Sequence, residues 1–110
     1  MDYLVTGTRA YGPAREDSDL DIVMYVEDAM NLHKFLISHH ISPYRKENMQ
    51  EGYDGYYFEL LNIKVNIIIA MDDAMFRGWK VKTETMKRLP GIEDRQKRIH
   101  LFNLFGEIFI

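Results

Sequence analysis

The chain reads as an α+β domain, a small mixed β-sheet flanked by helices, and three features predict it. Four apolar or alternating runs, at 3–6, 19–26, 56–61 and 63–70, have the period of strands. Three longer stretches, at 27–39, 71–90 and 92–110, repeat apolar residues at helical intervals. The 110 residues suffice for one core and leave little room for a second, so a single domain over 1–110 is expected.

The elements follow in order. Met1 to Thr6 is the first strand, and Thr8 to Tyr11 a short helix stopped by Gly12 and Pro13. A loop at 14–18 carries Arg15, either solvated or within reach of a phosphate, and Asp19 to Val26 is the second strand. Glu27 or Asp28 then caps a helix running to about His39, with Ala29, Leu32, Phe35 and Leu36 along one side. His33, His39 and His40 have no carboxylate or fourth histidine at a spacing that completes a metal site, so they read as surface or helix-end residues. The polar stretch at 41–55, with Pro43, Gly52 and Gly55, is an edge strand or a loop over the active face, from which Arg45 and Lys46 can reach a substrate.

Tyr56 to Leu61 and Ile63 to Ala70 lie so close together that they form a hairpin. With Leu61 and Asn62 as a two-residue turn, residue 60 faces 63, 59 faces 64 and 57 faces 66, whereas a three-residue turn would flip the relation. The next helix, 71–90, has Asp72 or Asp73 as its cap and Met75, Trp79, Met86 and Leu89 on its apolar side. The last, 92–110, carries Ile99, Phe102, Phe105 and Phe109 on one side, with Leu101, Leu104 and Ile108 beside them. So wide an apolar face implies full burial or a partner surface, for instance a homo-oligomer through this helix.

With no cysteine, disulfides and thiolate metal sites are excluded, and oxygen ligation of a magnesium-type ion stays open. No run of 18 apolar residues and no secretory leader is present, so the expectation is a cytoplasmic protein without a membrane segment. The net charge of −3 is unevenly spread: residues 1–76 hold 6 basic and 13 acidic side chains, residues 77–100 hold 8 basic and 3 acidic. The basic segment, Arg77, Lys80, Lys82, Lys87, Arg88, Arg95, Lys97 and Arg98, either attracts triphosphate or a nucleic-acid acceptor, or forms solvated helix faces.

The most pointed stretch is Gly7 to Ile22, GTRAYGPAREDSDLDI. Gly7 after a strand makes a turn whose lack of bulk admits phosphate oxygens to backbone N–H groups, with Thr8 and Arg9 alongside. Asp19 and Asp21, two apart on a strand, project from one face and repel each other, a conflict that a divalent cation relieves.

Across Gly7, Thr8, Arg9, Ala10, Gly12, Ser18, Asp19, Leu20 and Asp21 this stretch resembles the signature of the DNA polymerase beta superfamily, and most closely its minimal nucleotidyltransferases. What the resemblance implies is a nucleotidyltransferase fold. It also implies an NTP, ATP first among them, bound at Gly7, Thr8, Arg9 and Ser18, and Mg2+ held by catalytic Asp19 and Asp21 to activate an acceptor and stabilise the leaving pyrophosphate. The family's third carboxylate corresponds to Asn66, in IKVNIII, which brings no charge and cannot act as a base. Glu59, on the same face of the hairpin, is either a substitute carboxylate or the partner of Lys64.

Three readings stand open. One is transfer of an NMP from the NTP to a hydroxyl of a protein, RNA or small molecule, and here the resemblance further implies an antitoxin role toward a small helical HEPN-type toxin. Another is a weakened or inactive relative that binds nucleotide or a protein partner. The last is an interaction domain in which the aspartates are relics.

Overall fold

The computed structural model describes residues 2–48 and 53–109, so Met1, Gly52 and Ile110 of the predicted elements lie outside the described residues, as do the side chains of Ile108 and Phe109. Five strands, β1 (Tyr3–Thr6), β2 (Leu20–Tyr25), β3 (Tyr44–Asn48), β4 (Tyr53–Leu60) and β5 (Ile63–Ala70), form one sheet in the order β1-β2-β5-β4-β3. β2 and β5 run parallel and the other neighbours antiparallel, so this is the mixed sheet of an α+β fold. Four helices join them: α1 (Thr8–Tyr11), α2 (Val26–Ser38), α3 (Asp73–Arg88) and α4 (Arg95–Phe109).

Because strand side chains alternate, each face of the sheet builds its own core. On one face Met24, Tyr56, Phe58, Val65 and Ile67 close over Ala29 and Leu36 of α2. On the other, Val23, Ile68 and Ala70 meet Tyr11 of α1, Trp79 and Met86 of α3, and Phe102 of α4. Beneath the first turn, Thr83 gives its hydroxyl proton to the Trp79 carbonyl at 2.8 Å, so Thr6 is the donor in the 2.6 Å bond between Thr6 and Thr83 that fastens β1 to α3.

Several boundaries differ from those expected. The stretch at 41–55 contains β3 and the start of β4, which exist because they pair with each other, Lys46 opposite Gly55 and Tyr44 opposite Tyr57. α2 begins at Val26, so Glu27 and Asp28 sit in its first turn beside the helix dipole instead of capping it. Phe35 leaves the buried stripe, is 55% exposed and packs on His39. α4 starts three residues late, at Arg95, where the Asp94 carboxylate accepts from the Lys97 amide at 2.9 Å. At α3 the expected cap holds: Asp72 accepts from the Met75 amide at 2.8 Å.

The junction of α1, α3 and α4 is built around Arg98, only 6% exposed. Its Nε donates to the Gly12 carbonyl, Nη1 to Leu89 and Ile92, and Nη2 to Tyr11 and Met86. All five guanidinium protons are thereby used, on carbonyls at the C-terminal ends of α1 and α3 and in the turn between α3 and α4. No helix among the described residues is long and apolar enough to cross a membrane.

Candidate active site

One row of residues runs across the sheet through the register Thr6, Asp21, Asn66, Tyr57, Tyr44, each the direct neighbour of the next. All five side chains therefore leave the same face, the one that α1, α3 and α4 cover at its β1–β2 end. Asp19 lies just before β2, which starts at Leu20 and not at Asp19 as expected, and what places its carboxylate beside Asp21 is the shared Asn66 amide.

Gly7 links β1 to α1 with φ 72°, a left-handed conformation that suits glycine. A Cβ at Gly7 would also collide with the Asp21 carboxylate, so the turn and the aspartate occupy adjoining space. The Gly7 carbonyl accepts from the amides of Ala10 at 2.9 Å and Tyr11 at 3.2 Å, which sets α1 directly after the turn.

Together these elements enclose a cleft of about 250 Å³. Asp19 and Asp21 line it with Gly7, Thr8, Arg15 and Arg95, while Trp79 and Phe102 form an apolar wall. Arg15 pairs with Asp17 at 3.6 Å, but both side chains are largely exposed and such a pair is readily exchanged for a ligand. Arg95 has its Nε buried without a hydrogen-bond partner. A buried N–H left unpaired is costly, and a phosphate oxygen in the cleft would satisfy it.

Asn66, 4% exposed, lies between the two carboxylates and Lys46. Its Nδ2 donates to Asp21 Oδ1 at 2.8 Å and to Asp19 Oδ2 at 3.2 Å, while its Oδ1 accepts from Lys46 Nζ at 3.2 Å. The amide thus places its nitrogen toward the two acids. The two carboxylates are hard oxygen donors, of the kind that suits a divalent cation such as magnesium. Among the described residues no group of three or more acidic or histidine side chains converges on one point; Asp17, the other acid lining the cleft, pairs with Arg15 instead.

The other predicted residues fall as follows. Ser18 is buried in the cleft wall, where its hydroxyl accepts from the Arg15 amide at 2.7 Å. Arg9 is absent from the cleft lining; its Nε donates to the Ser18 carbonyl at 2.8 Å and its Nη2 to that of Glu16 at 3.0 Å, fastening the 14–18 loop to α1. Glu59 stands opposite Lys64 as the hairpin register requires, but lines a different cleft with His40, Tyr44 and Tyr57. Lys64 places its ammonium 4.4 Å from the centre of the Tyr57 ring.

Nothing local in the sequence marks Asn66 as the partner of Lys46, which only strand pairing reveals. In composition Arg95 is one charge of a basic run. A signal was available: Arg95 lies four residues before Ile99 and seven before Phe102, in phase with the apolar side of its helix.

No family model and no curated protein matches the chain. Among solved structures it is similar to the Cid1 poly(U) polymerase, with a TM-score of 0.54 and 12% identity over 78% of this chain and 27% of that one. The likeness shows a nucleotidyltransferase fold, and the chain spans about a quarter of that polymerase's length.

Proposed function

We propose that this protein is a nucleotidyltransferase that binds an NTP with Mg2+ in the Gly7–Asp21 cleft and moves the NMP to an acceptor hydroxyl. The observation that carries this reading is the pairing of opposite charges in one cleft: Asp19 and Asp21, with Arg15 and the incompletely satisfied Arg95. A metal triphosphate presents both complementary signs.

In this reading Gly7 lets phosphate oxygens approach the backbone, Thr8 and Ser18 line their path, and Arg15 and Arg95 hold them. Asp19 and Asp21 would hold magnesium, which when bound stabilises charge on the leaving pyrophosphate and favours the acceptor alkoxide. Asn66 contributes no proton acceptor. The chain's own work is therefore positioning and charge compensation.

The finer reading, ATP as donor and a small helical toxin as protein acceptor, rests on the sequence resemblance. A second reading, nucleotide binding without transfer, is favoured by Asn66 standing in for a carboxylate with its nitrogen toward the acids.

Incubation with Mg2+, each labelled NTP and a cell extract as acceptor tests both readings. Wild type should transfer label and Asp21→Ala should lose at least ~100-fold of the signal, the scale of a lost electrostatic group at a reacting centre. Equal labelling by the two would sink the enzyme reading. Mg2+-dependent ATP binding without pyrophosphate release would establish the second.

A further inference from the structure

We infer that Lys46 and Asn66 form a latch that opposes divalent-cation binding at the carboxylate pair, and that Lys46 is a positioning residue for cation entry. The inference deepens the proposed function, because it concerns occupancy of the same site.

The orientation of the Asn66 amide is fixed by its surroundings. Two carboxylates lie on its nitrogen side, at 2.8 and 3.2 Å, and a cation lies on its oxygen side, Lys46 Nζ at 3.2 Å. Turned over, the amide would point its oxygen at two anions and its NH2 group at an ammonium, losing all three bonds. With the amide as found, an N–H donor faces each acid where a cation would approach, and the only Asn66 atom able to ligate a metal points away.

The fold makes this reach available. Lys46 lies on β3 directly opposite Gly55, which in turn faces Ile68 of β5. Lys46 and Asn66 leave the same face, since Tyr44 shares the row of Asn66 and Lys46 is two residues further on. Gly55 has no side chain to stand between them, and a Cβ there would collide with the Ile67 carbonyl, so the gap is built into β4. Through that gap the edge strand brings one positive charge to a site with two acidic groups. Entry of a divalent cation then requires the Nδ2 bonds to break, the amide to turn about its terminal torsion, and Lys46 to release Oδ1.

Direct binding of Mn2+ to the full chain without nucleotide, followed by calorimetry and by the electron-spin signal of the free ion, tests this. Wild type should bind weakly. Lys46→Met should tighten binding by about tenfold, and Asn66→Asp by more, since it restores a charged oxygen ligand. Lys46→Arg should stay near wild type, and Lys64→Met, which removes a charge from the same face without touching Asn66, should change affinity less than Lys46→Met.

Lys46→Met in an Asn66→Ala background separates a latch from simple charge repulsion. A latch predicts that most of the gain disappears there. An equal gain in both backgrounds would overturn the latch, as would wild-type affinity equal to that of Asn66→Asp. Tightening by Asn66→Asp alongside either result would leave the proposed cation site standing. Absence of Mn2+ binding in every variant, Asn66→Asp included, would overturn the cation site and the latch with it.

Discussion

Gly7 and Asp21 constrain each other more tightly than their sequence separation suggests, because the space a Cβ would fill at Gly7 is taken by the Asp21 carboxylate. The Gly7 turn and the Asp21 carboxylate are thus fitted to one another. Their placement was readable in sequence because a turn with positive φ demands a glycine and strand alternation sets the face of Asp21. The orientation of Asn66 was not, since only the position of Lys46 on another strand decides it. On the opposite face of the sheet, the buried Tyr56 gives its hydroxyl proton to the Ala29 carbonyl at 2.7 Å, and burial pushes its pKa up from 10.0 to about 12. As pH rises through that window the unfolded chain releases a proton that the folded chain retains, so the contribution is intact below the lower value and is lost toward the upper. The loss should be on the order of 2 kcal/mol. Tyr56→Phe should cost about 1 kcal/mol at neutral pH through the missing hydrogen bond and should flatten the alkaline decline. Denaturant unfolding of the two proteins across this range checks it, and parallel curves would count against the assignment to Tyr56.

At the level of elements, the β4–β5 hairpin shows what local chemistry can and cannot specify. Leu61 and Asn62, with φ of 53° and 64°, are both left-handed, as a two-residue hairpin turn of the twisted type requires. That turn length fixes Glu59 opposite Lys64 and Tyr57 opposite Asn66; the hairpin was legible from sequence, but its register was conditional on the turn length, since a three-residue turn would have reversed the faces. Strand β3 was not separable from a loop, because its residues YRKEN lack an apolar alternation and are organised by pairing with β4. The same limit applied to α4, whose apolar period extends back to Ile92 although the Asp94 cap starts the helix at Arg95. The turn itself is imperfect: Leu61 is 86% exposed and has a Cβ in a conformation that costs L-residues about 1 kcal/mol or more. Leu61→Gly should therefore stabilise the protein by about 1 kcal/mol, and changing the pair to Asn-Gly by somewhat more. An unchanged or lowered denaturation midpoint for both variants would refute the turn assignment.

Across the whole molecule, the basic segment at 77–100 divides into three uses that composition alone does not distinguish. Arg77, Lys80, Lys87, Arg88 and Lys97 are exposed, Arg95 lines the cleft, and Lys82 and Arg98 are buried. Lys82, 1% exposed, sets its ammonium 3.5 Å from the Trp79 ring centre and 4.2 Å from that of Phe102. Arg98 replaces a counter-ion with five carbonyl dipoles drawn from α1, α3 and the two turns beside them. It therefore fixes the position of α1, which follows the Gly7 turn, relative to α4, which carries Arg95 into the cleft. Arg98→Met preserves much of the apolar stem but leaves buried carbonyls without donors, and should cost about 3–5 kcal/mol, a large part of a domain's usual margin of about 5–15 kcal/mol. Arg98→Lys keeps the charge yet has three rotatable donors in place of a planar fork of five, so it should recover only part of the loss. If the clamp also sets the cleft, ATP affinity should fall in Arg98→Lys under conditions where that variant remains folded. Denaturant unfolding and nucleotide titration of the same samples separate the two effects. A loss below about 1 kcal/mol for Arg98→Met would mean that helix packing, and not this guanidinium, holds the three elements together.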